Sequence, residues 1–219
     1  MRFFVYSMIA IPLLLVDSVL LYTLPVHLSA RFTSMQFMIF AAGAAIYLGF
    51  HFFVRKPERL YLWGHELTHL LMAKIFFRQV HGFHITSRSG GKVVIDRTNV
   101  AIDLAPYAVP IYSLAAILPI LLFRGRYPFS REFYLAAAAF FFTMHISFSL
   151  EGFVHGQPDL RRSGRLFSGA VVALSLILIF PVLLAPATHA GMREISAFFR
   201  EWFSSSFSVA RHFLDNILF

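Results

Sequence analysis

Apolar residues run in long blocks along this chain, separated by short clusters of charge. The blocks at 3–22, 37–54, 102–123, 133–150 and 166–184 are each close to the roughly 20 residues that a helix needs to cross a bilayer. A sixth block, 60–77, carries polar residues inside it and predicts a short or half-inserted helix. Arg55-Lys56-Pro57-Glu58-Arg59 precedes it, and Pro57 disfavours helix at Lys56 while allowing a new one to start. Lys74 and Arg78 mark its end. The first block is too long for the apolar core of a signal peptide and reads as a span. Asp17 within it reads as a helix-packing or interfacial carboxylate.

Two segments break the pattern. Residues 79–99 form the one long polar stretch. Inside it, 80–85 and 92–95 are rich in β-branched and aromatic residues, with the turn signal Ser87-Arg88-Ser89-Gly90-Gly91 between them. This predicts a β-hairpin. Beyond 190, Ile195, Phe198, Phe199, Trp202 and Phe203 recur at helical spacing among Arg193, Glu194, Arg200 and Glu201, which predicts an amphipathic interfacial helix over the tail, 190–219. The expected fold is mostly α: a polytopic membrane helix bundle of about five or six helices, with one short β-hairpin and a C-terminal amphipathic helix. No internal repeat or linker divides it, so 1–219 is read as a single integral membrane domain.

Composition agrees with this picture. The chain is 58% hydrophobic and 14% charged, with 27 Phe, whereas a soluble domain is about 45–50% apolar and about 25% charged. Cysteine is absent, which excludes disulfides, thiolate metal ligands and a cysteine nucleophile. The net charge of +8 lies between apolar segments rather than in a polar domain. It points to the headgroups of a lipid bilayer and away from nucleic acid. Arg161, Arg162 and Arg165 are read as meeting lipid phosphate.

Chemistry concentrates at His65-Glu66-Leu67-Thr68-His69. On a helix, residues i and i+4 share a face, so His65 and His69 can present two imidazoles to one metal ion. Glu66 sits one residue round, within reach of a water at that ion. This is the HExxH arrangement of a zinc hydrolase: two nitrogen ligands, an open position and a general base. Polar groups clustered in an apolar segment are costly to keep, which argues for function. A third ligand is required. Asp159, Glu151, Asp103, His145, His155, His81 and His84 are candidates, since an extended HExxHxxGxxH is absent: Met72 and Ile75 occupy its positions. Asp159 is favoured by context, because Gly156-Gln157-Pro158 breaks the helix before it and can turn a carboxylate into the bundle.

With these residues in place, the chain resembles the site-2 protease class of intramembrane zinc metallopeptidases, in a small bacterial form. The resemblance covers roughly residues 63–168 and rests on Gly64-His65-Glu66-Leu67-Thr68-His69 with Gly156-Gln157-Pro158-Asp159-Leu160. Leu160 stands where the class commonly has Gly, and Gln157 where Asn is frequent. The resemblance implies one zinc per chain on His65, His69 and Asp159, with Glu66 as base. It implies a membrane-protein or membrane-anchored peptide substrate and a bacterial cytoplasmic membrane. It also gives the hairpin a task, since Val93, Val94 and Ile95 would offer a strand edge to an unwound substrate. Asn99 is a candidate for holding the substrate backbone or the oxyanion, and His145 for a similar hydrogen bond. Asp103 reads as an interfacial residue or one that orients a ligand histidine. The alternative function is a non-catalytic membrane adaptor that retains a metal site. A metal transporter ranks last, since no repeated halves are present.

Overall fold

The computed structural model describes residues 2–86, 90–123, 130–188 and 191–218. The chain is a mostly α polytopic bundle with one two-stranded antiparallel hairpin. Its elements are α1 (Arg2–Ser29), α2 (Ser34–Gly49) running on into a π-helical turn (Phe50–Val54), α3 (Glu58–Ile75), β1 (Val80–Thr86), β2 (Gly90–Ile95), α4 (Val100–Ala108), α5 (Ile111–Ala115), α6 (Ile117–Phe123), α7 (Ser130–His155), α8 (Pro158–Arg162), α9 (Arg165–Leu184) and α10 (Ile195–Leu218). Among the described residues, four helices are long and apolar enough to cross a membrane, or five if a bent pair counts as one span. The apolar side chains exposed along α1, among them Phe4, Leu15, Tyr22 and Val26, suit lipid rather than water. The hairpin strands fall where the runs of β-branched and aromatic residues placed them, while Ser87–Ser89 of the expected turn lie outside the described residues.

Neighbouring contacts set the direction of each span. Tyr6 stacks on Phe167 at 4.8 Å, and Leu28 shares a cavity wall with Pro181 and Ala185, so α1 and α9 run parallel. Tyr47 meets Phe140, His51 meets Phe148 and Lys56 meets Glu151, so α2 and α7 also run parallel. Gly43 allows their close approach: a Cβ there would stand 2.3 Å from the Ala136 carbonyl oxygen. One end of the bundle therefore gathers the end of α2, the end of α7, α8 and the start of α9. The α3 helix begins at that end.

One expectation needs correction. The block 102–123 is not one continuous helix. Val100–Ala108 and Ile111–Ile120 are bent by 69°. Pro110 has no N–H, and the residue before a proline is pushed out of helical geometry; Val109 is extended, at φ −115 and ψ 104. The tail is helical and amphipathic, as expected, and it also packs on the bundle. His27 faces Phe198, and the Trp202 indole donates to Thr23 Oγ1 at 2.9 Å, so α10 runs back along α1 with Trp202 fully buried.

The α3 helix is built inside out. Glu66, Thr68 and His69 are buried, while Trp63, Leu67, Leu71 and Ile75 face outward. In water that arrangement would be unfavourable. Against lipid it places the polar face where the bundle can use it.

Candidate metal centre

Three side chains converge on the inner face of α3. His65 and His69 stand one turn apart, and Asp159 arrives from α8. Asp159 Oδ2 lies 3.4 Å from His69 Nε2 and 3.9 Å from His65 Nε2. One ligand atom from each residue falls within 4.8 Å of the others. Ligand atoms about 2.0–2.1 Å from a tetrahedral ion stand about 3.3 Å apart, so the three nearly form a coordination face as they are. Among the described residues, this is the only group of His, Cys, Asp and Glu so placed.

Local sequence explains how Asp159 gets there. Gly156 ends α7 in the left-handed region, at φ +66, and the Gln157 amide bonds back to the Gly152 carbonyl. Pro158 then opens α8, with Asp159 in its first turn. Leu160, at the position where the resembled class carries Gly, is fully buried among Leu104, Tyr107, Ala108 and Val172 and anchors α8 to α4 and α9.

The surrounding groups tune the donors. Burial alone would push the Asp159 carboxyl up. The His69 hydrogen bond and charge, then His65 and Arg162, outweigh burial and hold it below the usual carboxylate range. Arg162 keeps half of its side chain exposed and also engages the site. Its guanidinium sits 2.9 Å from Asp103 and 3.7 Å from Asp159 Oδ1, leaving Oδ2 for the histidines. Asp103 therefore holds Arg162 rather than a histidine.

His69 is oriented by a defect in α4. Its Nδ1 lies 2.9 Å from the Ile102 carbonyl oxygen. In a regular helix that carbonyl would bond the N–H four residues on, but the residue there is Pro106, which has none. The freed carbonyl turns Nε2 of His69 toward Asp159, the arrangement by which a ligating histidine is fixed. Pro106→Ala should restore the helical hydrogen bond, raise the melting temperature and weaken the hold of this cluster on a divalent metal by about tenfold or more. Melting and competitive chelation of an added metal ion on the same preparation check this; tighter or equal binding would contradict it.

Glu66 lies against β2. The Val93 backbone amide is directed at its carboxylate. Gly91 makes the approach possible, since a Cβ there would come within 2.4 Å of Glu66 Cγ. Gly91→Ala must move the carboxylate, and a displacement near 1 Å can lower a catalysed rate by about 100-fold. Any catalysis that Glu66 performs should then fall steeply with metal content unchanged, read by an activity assay and elemental analysis together.

Two cavities flank this point. One of about 450 Å³ is lined by Val93, Val94, Ile95, His69, Asp159 and Arg162. The other, of about 430 Å³, is lined by Tyr61, Tyr107, Phe148 and Glu151. Both share His65, Glu66, Gly91 and Gln157. Together they form a trough over the HExxH face with β2 along one wall.

Other sequence candidates are engaged elsewhere. Glu151 pairs with Lys56 and His51. His145 is buried, with Nε2 2.7 Å from the Tyr107 carbonyl oxygen. Asn99 caps α4, its side chain accepting from the Ile102 amide at 2.8 Å. Pro106, Gly91 and the pairing of Arg162 with Asp103 were not singled out from sequence. Gly91 read as a turn residue, and Pro106 signals a freed carbonyl only once α4 is known to face α3.

No protein-family model, curated protein or solved structure matches this chain. Fold and composition establish an integral membrane helix bundle.

Proposed function

We propose that this protein is a zinc-dependent intramembrane endopeptidase of the site-2 protease type, cleaving membrane-protein or membrane-anchored peptide substrates. The observation that carries the proposal is the meeting of His65, His69 and Asp159 from α3 and α8, with Glu66 beside them and a trough running past. A zinc ion on these three residues would supply Lewis acidity to a water and to the scissile carbonyl. Glu66 takes the water's proton as its oxygen attacks the carbonyl carbon, then returns the proton to the leaving amine. Arg162 keeps Asp159 ionised and Ile102 keeps His69 turned inward.

The hairpin presents the substrate. With the Val93 N–H directed at Glu66, away from β1, the two-residue alternation puts Gly91 and Ile95 on the same open edge. An extended peptide pairing with that edge would pass over Glu66. A helical substrate must unwind to do so, which exposes its peptide bond.

We place the protein in a bacterial cytoplasmic membrane, where basic residues at both ends of the bundle, Arg55, Lys56 and Arg59 at the site end and Arg31, Arg131 and Arg193 at the other, can meet lipid headgroups. The test is to compare new peptide N-termini in membranes of cells expressing the wild type and Glu66→Gln. Termini that appear only with the wild type support the proposal. Identical sets would reject it in favour of an adaptor.

A further inference from the structure

Tyr107 is buried to 1% exposure at the end of α4, and its hydroxyl has no hydrogen-bond partner. Its ring packs edge-on against the His65 imidazole, with centroids 5.1 Å apart. It lines the same cavity as His65, Glu66 and Gln157, and its hydroxyl is within electrostatic reach of Asp159 and Glu66. A phenylalanine would fill this space without burying an unpaired hydroxyl, so packing alone does not explain the residue.

The position is also held firmly. The Tyr107 carbonyl accepts from His145, because the Ile111 amide that would normally take it bonds to Val109 instead. The bend at Pro110 therefore frees the Tyr107 carbonyl to anchor on His145 while the ring packs against His65. A rigid, unpartnered donor next to an electrophilic centre is what a developing negative charge requires.

We propose that Tyr107 is a catalytic residue whose hydroxyl donates a hydrogen bond to the scissile carbonyl oxygen as it becomes an oxyanion. This rests on the metallopeptidase reading above. In that step the water oxygen bonds to the carbonyl carbon, its proton passes to Glu66, and the carbonyl π pair moves to the oxygen that Tyr107 meets. The tyrosine keeps its own proton throughout.

The test needs no substrate. Detergent-purified protein is loaded with Co²⁺ and titrated with acetohydroxamic acid, whose carbonyl oxygen, sharing the charge of the bound anion, serves as the probe for the oxyanion position. Tyr107→Phe should take up Co²⁺ as the wild type does and bind the hydroxamate about 10- to 100-fold more weakly, the range for a hydrogen bond to a charged group. Phe153→Leu, which alters a neighbour of the Tyr107 ring but keeps the hydroxyl, should bind it nearly as the wild type does. Equal hydroxamate affinity in Tyr107→Phe would overturn the role of Tyr107 alone. Equal weakening in both variants would make Tyr107 a packing residue and overturn it too. Failure of the folded wild type to take up Co²⁺ would overturn the metal reading, and the proposal with it.

Discussion

Asp159→Ala is expected to lose most of its zinc while keeping its fold. Zinc binding to a full protein ligand set is worth about 10–16 kcal/mol, so one ligand in three or four carries about 3 kcal/mol, roughly a 100-fold change in affinity. The fold should survive because α8 is anchored by Leu160, and Arg162 retains Asp103 at 2.9 Å. Asp159→Asn is the gentler companion, removing the charge but not the shape. The measurement is zinc per chain by elemental analysis after dialysis against a weak chelator, with melting in detergent as the control for folding. About one zinc in the wild type and little in the variant is the expected result. Unchanged zinc in Asp159→Ala would remove this residue as a ligand and return attention to Glu151 and His145. A wild type that holds no zinc after reconstitution would end the metalloprotease proposal.

Glu66→Gln is expected to retain zinc and abolish cleavage. Glutamine matches the shape of glutamate, and its amide oxygen can still face the Val93 amide. What it cannot do is accept a proton at neutral pH. General acid–base catalysis contributes about 10²–10⁴-fold, and a residue that both takes and returns the proton belongs near the upper end. Zinc content separates this outcome from the previous one: Asp159→Ala loses metal and activity together, Glu66→Gln activity alone. Full activity in a zinc-bearing Glu66→Gln protein would sink the mechanism.

How much of this was legible beforehand follows from the range of each interaction. His65, Glu66 and His69 lie within one helical turn, so spacing alone put them on one face. Asp159 was marked by the local break at Gly156 and Pro158, although only the folded chain brings it within 3.4 Å of His69. The hairpin followed from two β-branched and aromatic runs around a turn signal. The break in the span over 102–123 did not, because hydropathy there stays high across Pro106 and Pro110. Arg162 looked like its neighbours Arg161 and Arg165; only tertiary packing turns it toward Asp103. The importance of Gly91 lies in what a side chain would collide with on another element, and no local pattern carries that.

The proline within α4 has a consequence for how this sequence can change. Most substitutions that mend a helix are harmless gains, and selection for heat resistance collects them readily. Here the mended backbone would reclaim the very carbonyl that steers His69. Variants chosen for robustness alone would therefore tend to discard Pro106, and a screen that scores survival on heating without scoring metal retention would drift toward sturdier, emptier proteins.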